Sequence, residues 1–176
     1  KRVGTSVPFG YVRDPNDRDT WHIDAEAAAT VRKIFSLFLN GLGPTKIARV
    51  LESEKVLTPT AYNMQVGRRT FRELAGSPYF WQPNSVASIL DNAQYTGCTI
   101  NFKSTKVSYK IHKRKINDQE HWEVIPNTQE PIIDADTFQK VQRLRQNRHR
   151  CTKSGRSSLF SNRSEERRVG KECSWT

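Results

Sequence analysis

Between Asp91 and Asp118 the chain holds Lys103, Lys106, Lys110, Lys113, Arg114 and Lys115, and no acid. A second acid-free run, from Asp136 to Glu165, includes Lys140, Arg143, Arg145, Arg148, Arg150, Lys153 and Arg156. Cations segregated in this way suit one kind of chemistry. Each can neutralise a phosphate and release the counterion condensed on it, so affinity for a polyanion rises as salt falls. For any single lysine a solvated surface is the blander explanation; two uninterrupted clusters point to a nucleic-acid partner.

Covalent chemistry is poorly provided for. His22, His112, His121 and His149 are dispersed, with neither H-x-x-x-H nor H-E-x-x-H spacing, and Cys98, Cys151 and Cys173 form no C-x-x-C pair. Neither a metal site nor a disulfide framework is expected from them. Asp134 and Asp136 look like paired carboxylates, but they stand where a helix N-terminus favours negative charge. Neither G-x-S-x-G nor a Walker-type phosphate loop occurs. The expectation is binding without catalysis: no catalytic residue, no cofactor and no metal.

Three helices would have to position the binding groups. Asp24 can cap a first helix in which Ala27/Ala28, Val31, Ile34/Phe35 and Phe38/Leu39 recur at helical spacing until Gly41. Pro44 opens a second, with Ile47, Val50 and Leu51 inward. The segment Lys55 to Pro59 reads as extended, and Thr60 to Phe80, with Arg68, Arg69 and Arg72, as a long basic loop. A third helix starts at Pro83 or Asn84, turning Val86, Ile89 and Leu90 inward and Asn84, Ala87, Ser88 and Asp91 outward. That outer face is small and polar. Strands are expected over Tyr95 to Val107, Lys106 to Ile111 and His121 to Ile125, then a last helix capped by Asp134 with Phe138, Val141 and Leu144 inward. The expected class is α+β: a helix-turn-helix-like three-helix unit, a small antiparallel sheet and a C-terminal helix.

Set in a duplex, the third helix would enter the major groove. Asn84 could pair bidentately with adenine, and Ser85 or Ser88 could take base edges or phosphate. Asp91 is awkward beside phosphates unless it accepts from a cytosine amino group or lies at the margin.

Length and composition bound this reading. A chain of 176 residues is about one domain. Lys plus Arg number 29 against 18 Asp plus Glu, a net charge of +11 that excludes an acidic solvating protein. Hydrophobic residues make up 35%, below the ~45–50% of an average domain, but eight Phe, five Tyr and four Trp let a lean composition bury area. No apolar run approaches the ~18–20 residues of a membrane span. The chain opens on Lys1 with no signal-like segment, which reads as a cut start in a cytoplasmic, reducing setting. Residues 163–176 resemble the in-frame translation of a sequencing adapter and are expected to be a scar. The 162 residues before them still hold 25 basic and 15 acidic side chains, so the basicity does not depend on the tail.

Val7-Pro8-Phe9-Gly10-Tyr11, Ile23-Asp24, Ala28-Ala29-Thr30-Val31-Arg32-Lys33-Ile34-Phe35, Gly41 and Ile47-Ala48-Arg49-Val50-Leu51 together resemble the recombinase domain of large serine recombinases. The resemblance continues in order through Trp81, Ser85-Val86, Ile89-Leu90, Asn92, Tyr95-Thr96-Gly97, Ile132-Ile133-Asp134, Phe138 and Val141, covering about residues 5–147. It implies a bacterial or phage-encoded module that grips a double-stranded DNA attachment half-site, with other recombinase subunits as partners. The catalytic serine domain and zinc ribbon of the family are not in the sequence, and no serine matches the nucleophile's motif. Residues 1–22 then read as a lead-in from a missing catalytic domain, 23–147 as the DNA-binding domain and 148–162 as a basic linker toward the ribbon. The resemblance also implies roles: Thr45, Lys46 and Arg49 on phosphates, Gln82, Asn84, Ser85 and Ser88 on base edges, Lys103, Lys106 and Arg148 along the backbone. Gly97 would permit a tight turn, and Trp81 and Tyr95 would bracket the third helix in the core. A different class, a basic RNA-binding or ribosome-associated domain stacking bases on Phe102 and Tyr109, is the alternative.

Overall fold

A computed structural model of the chain describes residues 7–17, 19–68, 70, 76–106 and 114–147. The architecture is α+β. A hairpin of β1 (Tyr11–Arg13) and β2 (Trp21–Ile23) leads into α1 (Ala25–Leu39), α2 (Pro44–Ser53), α3 (Pro59–Gln65) and α4 (Pro83–Leu90). Short strands β3 (Thr99–Asn101), β4 (Ser104–Lys106), β5 (Arg114–Ile116) and β6 (Glu123–Ile125) follow, and α5 (Ala135–Asn147) closes the described chain.

Asp24 caps α1, its carboxylate accepting from the Ala27 N–H at 3.5 Å. Ala27, Ala28, Val31, Ile34, Phe35 and Phe38 are buried, while Leu39 lies outside the inward stripe and is exposed. Gly41, at φ +93°, reverses the chain. Pro44 occupies the first turn of α2, where a missing N–H leaves no intrahelical bond unmade. Ile47 and Leu51 are buried as expected, but Val50 is only half-buried. Ala48 and Val50 flank the Ile47–Leu51 line on opposite sides, and the core closes over Ala48. A Lys33–Glu54 ion pair ties α1 to the end of α2.

The stretch read as a loop from Thr60 contains α3. Thr58 caps it, its hydroxyl accepting from the Ala61 N–H at 3.3 Å, and Ala61 and Tyr62 are buried. Seven residues are too few for an apolar stripe to repeat, so periodicity does not reveal this helix. Tyr95, read as strand, instead lies in a 3-10 turn over Ala93–Thr96. The Asn92 side chain caps that turn, accepting from the Gln94 N–H at 3.2 Å. At Gly97 the backbone takes φ +86°, and a Cβ there would stand 2.8 Å from the Gln129 carbonyl oxygen. Only glycine fits both conditions without strain.

The described strands after α4 form two antiparallel pairs, not one continuous meander. β3 pairs with β6 (Thr99 opposite Ile125), and β4 with β5 (Ser104 opposite Ile116), so the inner hairpin is nested inside the outer pair. Of the expected Lys106 to Ile111 strand, Lys106 ends β4, and residues 107–113 lie outside the described residues.

One core joins α1, α2, α4 and α5 with Tyr11, Trp21, Trp81, Tyr95, Ile132 and Ile133. The residues read as a lead-in take part in it: Tyr11 and Trp21 are buried, and the Tyr11 hydroxyl donates to the Glu130 carbonyl at 2.8 Å. On α5, Val141 is buried, and Phe138 and Leu144 pack at the edge of the core.

Candidate nucleic-acid interface

Two aromatic residues fix α4 at its ends. Trp81, immediately before it, is buried and donates its indole N–H to the Val56 carbonyl at 2.9 Å. Tyr95, just after it, is buried, and its carbonyl accepts from the N–H groups of Ile132 and Ile133. Val86, Ile89 and Leu90 face the core, and α2 and α1 pack against them. Gln82, Asn84, Ser85 and Ser88 are all exposed, so the outer face of α4 is small, polar and open to solvent.

Ser88 is narrower in its chemistry than its residue type suggests. Its hydroxyl donates to the Asn84 carbonyl at 2.8 Å, one turn back. With that proton engaged, the oxygen is left as an acceptor, suited to an amino group on a base edge more than to a phosphate.

An open cleft of about 430 Å³ lies between the C-terminal end of α4 and the start of the sheet, lined by Ser88, Asp91, Asn92, Gln94, Ile100 and Lys103. It brings together two expected site residues, Ser88 from α4 and Lys103 from the turn between β3 and β4. Asn84 sits one turn before Ser88 along the helix, with Gln82 and Ser85 beside it at the helix start. Thr45, Lys46 and Arg49 are exposed on α2, away from its buried Ile47, Ala48 and Leu51, and do not line the cleft. The side chain of Lys106 and all of Arg148 lie outside the described residues, as do Lys110, Lys113 and Tyr109.

Lys103 is held in place by contacts that its residue type did not announce. Its ammonium lies 5.4 Å from the centre of the Trp122 ring, a cation–π distance. Trp122 donates its indole N–H to the Asn117 carbonyl at 2.9 Å. Asn117 in turn donates its backbone N–H to the Lys103 carbonyl at 3.1 Å and its side-chain amide to the Phe102 carbonyl and Thr105 hydroxyl, both at 2.7 Å. Sequence spacing carries no signal for Trp122 or Asn117, because both act across a turn that only the folded chain closes.

Asp91 and Arg145 correct the sequence reading. Arg145, counted there among cations for phosphate, donates one nitrogen to the Asp91 carboxylate at 2.7 Å and the other to the Ala87 carbonyl at 3.0 Å. Gln142, one turn earlier on α5, donates to the Leu90 carbonyl at 2.7 Å. The awkward acid at the end of α4 therefore has a partner within the fold. Arg68, from the stretch read as a long basic loop, is likewise committed: it donates to the Asp24 carboxylate at 2.7 Å, beside the Tyr62 hydroxyl at 2.9 Å. Burial pushes the Asp24 pKa up, but the hydrogen bonds from Arg68, Tyr62 and the Ala27 N–H outweigh it and hold the carboxyl below the ordinary Asp range. Burial, together with the Asp24 carboxylate, pushes the Tyr62 hydroxyl up to about 12. Arg69 and Arg72 lie outside the described residues.

Among the described residues, no group of three or more His, Cys, Asp or Glu side chains could hold a metal ion. No helix there is long and apolar enough to cross a membrane.

A family model described as Recombinase matches residues 25–148. No curated protein matches the chain in sequence. Among solved structures, a crystal structure of an LSR–DNA complex shares 17% identity at a TM-score of 0.49, covering 82% of this chain and 36% of that one. A structure from work on the sequence requirements of the Listeria innocua prophage attP site shares 20% identity at a TM-score of 0.42, covering 83% of this chain and 46% of that one. The chain thus spans less than half the length of either.

Proposed function

The chain belongs to the Recombinase family, and from that premise we propose that it binds double-stranded DNA as the recognition module of a site-specific serine recombinase. The observation that carries this reading is the convergence of Ser88, on the exposed polar face of α4, with Lys103, in the turn between β3 and β4, on one open cleft. An eight-residue helix with a small polar outer face can lie in a major groove, and a lysine beside it can meet the phosphates that border the groove.

In this reading Asn84 and Ser88 address base edges, with Gln82 and Ser85 at the entry of the helix. Thr45, Lys46 and Arg49 contact phosphates from α2, and Lys103, Lys106 and Arg148 contact them from the sheet and the segment after α5. The module recognises and does not cut; strand cleavage belongs to a serine domain elsewhere in the parent protein, and no cofactor enters. Residues 23–147, with the β1–β2 hairpin whose Tyr11 and Trp21 enter the same core, form the DNA-binding unit, 148–162 lead toward a further domain, and 163–176 stand apart from the function. The parent acts in the cytoplasm on an attachment half-site alongside other recombinase subunits.

No observation favours the RNA-binding alternative. Of the two aromatics that motivated it, Phe102 is half exposed and Tyr109 lies outside the described residues. Titrating the chain into labelled duplexes of different sequence at several salt concentrations tests the proposal. Salt-dependent binding with a preference among duplexes supports it; binding indifferent to both salt and sequence rejects it.

A further inference from the structure

The C-terminal end of α4 poses an electrostatic problem for a helix that is to approach phosphates. Its carbonyls carry the negative end of the helix dipole, its last turn contains no basic residue, and Asp91, directly after it, lines the cleft beside Lys103. An unpaired carboxylate in that position would repel a phosphate and compete with it for the lysine. Arg145 meets all three features. Its guanidinium bonds the Asp91 carboxylate and the Ala87 carbonyl at once, while Gln142 takes the Leu90 carbonyl. The Arg145 side chain is 24% exposed and that of Asp91 53%, so the acid stays at the surface while the cation lies mostly beneath it.

We propose that Arg145 is a positioning residue for DNA binding: it neutralises Asp91 and the carbonyl end of α4, keeping the cleft free for phosphate, without contacting the DNA itself. The inference rests on the DNA-binding reading above. It assigns Arg145, on α5, a part in an interface built from α4 and the sheet. Arg145 occupies one oxygen of the Asp91 carboxylate, which leaves that acid less free to accept from a cytosine amino group.

The geometry separates shielding from direct contact. If Arg145 shields, its loss matters only while Asp91 remains charged. Arg145→Gln should weaken binding of the full chain to a mixed-sequence DNA duplex by about five- to tenfold, the effect of one freed carboxylate near a phosphate in a largely aqueous setting. Adding Asp91→Asn should restore affinity to within about twofold of wild type, with the wild-type salt slope. Asp91→Asn alone should bind at least as tightly as wild type, and Arg145→Lys, which keeps the charge, should retain most of the affinity. Gln142→Ala, which removes a neutral tether between the same helices, should leave affinity near wild type.

The experiment is fluorescence anisotropy with these five variants across a salt series, each first checked for cooperative thermal unfolding. Rescue by Asp91→Asn supports the proposal. A double variant as weak as Arg145→Gln, with a salt slope lower by about 0.9, would show a direct phosphate contact and overturn it. A loss in Gln142→Ala equal to that in Arg145→Gln would show a mechanical role and overturn it too. Wild-type chain that binds while every variant matches it sinks this inference alone; wild-type chain without salt-dependent binding removes the DNA-binding reading, and this inference with it.

Discussion

The Asp24 carboxylate and the Arg68 guanidinium, 44 residues apart in sequence, meet at 2.7 Å over the first turn of α1. The same carboxylate accepts from the α1 backbone and from the Tyr62 hydroxyl, so one side chain caps α1 and fastens α3 to it. Asp24→Ala should therefore lower unfolding stability in urea by about 1–2 kcal/mol, in the range of a lost N-cap. Asp24→Asn, which still caps, should lose less.

The pH dependence follows from the direction of the shift. Folding holds the Asp24 carboxyl below its ordinary value of 3.8, so the folded chain binds this proton less readily than the unfolded one. Its stabilisation is complete above that ordinary value and is lost as the pH falls through the lower, folded one. The stability difference between wild type and Asp24→Asn, measured by urea unfolding across the acid range, should shrink there. A difference that stays constant down to the acid limit would contradict the assignment.

Gly97 offers a test of the turn between α4 and the sheet. Its positive φ and the 2.8 Å approach a Cβ would make to the Gln129 carbonyl predict that Gly97→Ala costs about 1–3 kcal/mol. A lowered melting temperature should register it, whereas an unchanged one would mean that the turn relaxes freely.

Much of this arrangement was legible in the sequence because it rests on long, repeating patterns. The fifteen residues of α1 repeat their apolar stripe four times, and Pro44 and Pro83 mark the starts of α2 and α4. The burial of Trp81 and Tyr95 and the turn at Gly97 came from the family resemblance and not from spacing, which read Tyr95 as strand. What escaped was short or long-range. α3 is under two turns, and the pairing of β3 with β6 joins residues across the whole inner hairpin. At the candidate site, Ser88 was visible as an outward polar residue, but not its bond to the Asn84 carbonyl. Charge counting cannot see that Arg68 and Arg145 are committed within the fold, because no spacing rule links them to Asp24 and Asp91.

Trp122 should matter to binding through Lys103 alone. Trp122→Leu removes the ring beneath the ammonium and should weaken duplex binding by a few fold, the scale of a surface cation–π contact. Trp122→Phe should retain most of the affinity. In a Lys103→Ala background Trp122→Leu should add nothing, and an additive loss by anisotropy would place Trp122 in contact with DNA instead.

Asn84 and Lys46 should fail in different ways. Asn84→Ala should cost about 1–3 kcal/mol on the preferred duplex and relax selection at one base position, whereas Lys46→Ala should weaken all duplexes alike and reduce the salt slope by about one. Selection from a randomised duplex library, followed by salt titration, separates these outcomes. Equal losses on every sequence for Asn84→Ala would remove it from base readout.

An exposed polar helix flanked by segregated cations is shaped for a duplex, and direct competition between duplex DNA and single-stranded RNA for the full chain, followed across salt, tests this best. The duplex should bind more tightly, with log affinity falling linearly with log salt by about 0.9 for each phosphate contacted. Tighter binding to the RNA, or duplex affinity that does not change with salt, would contradict it.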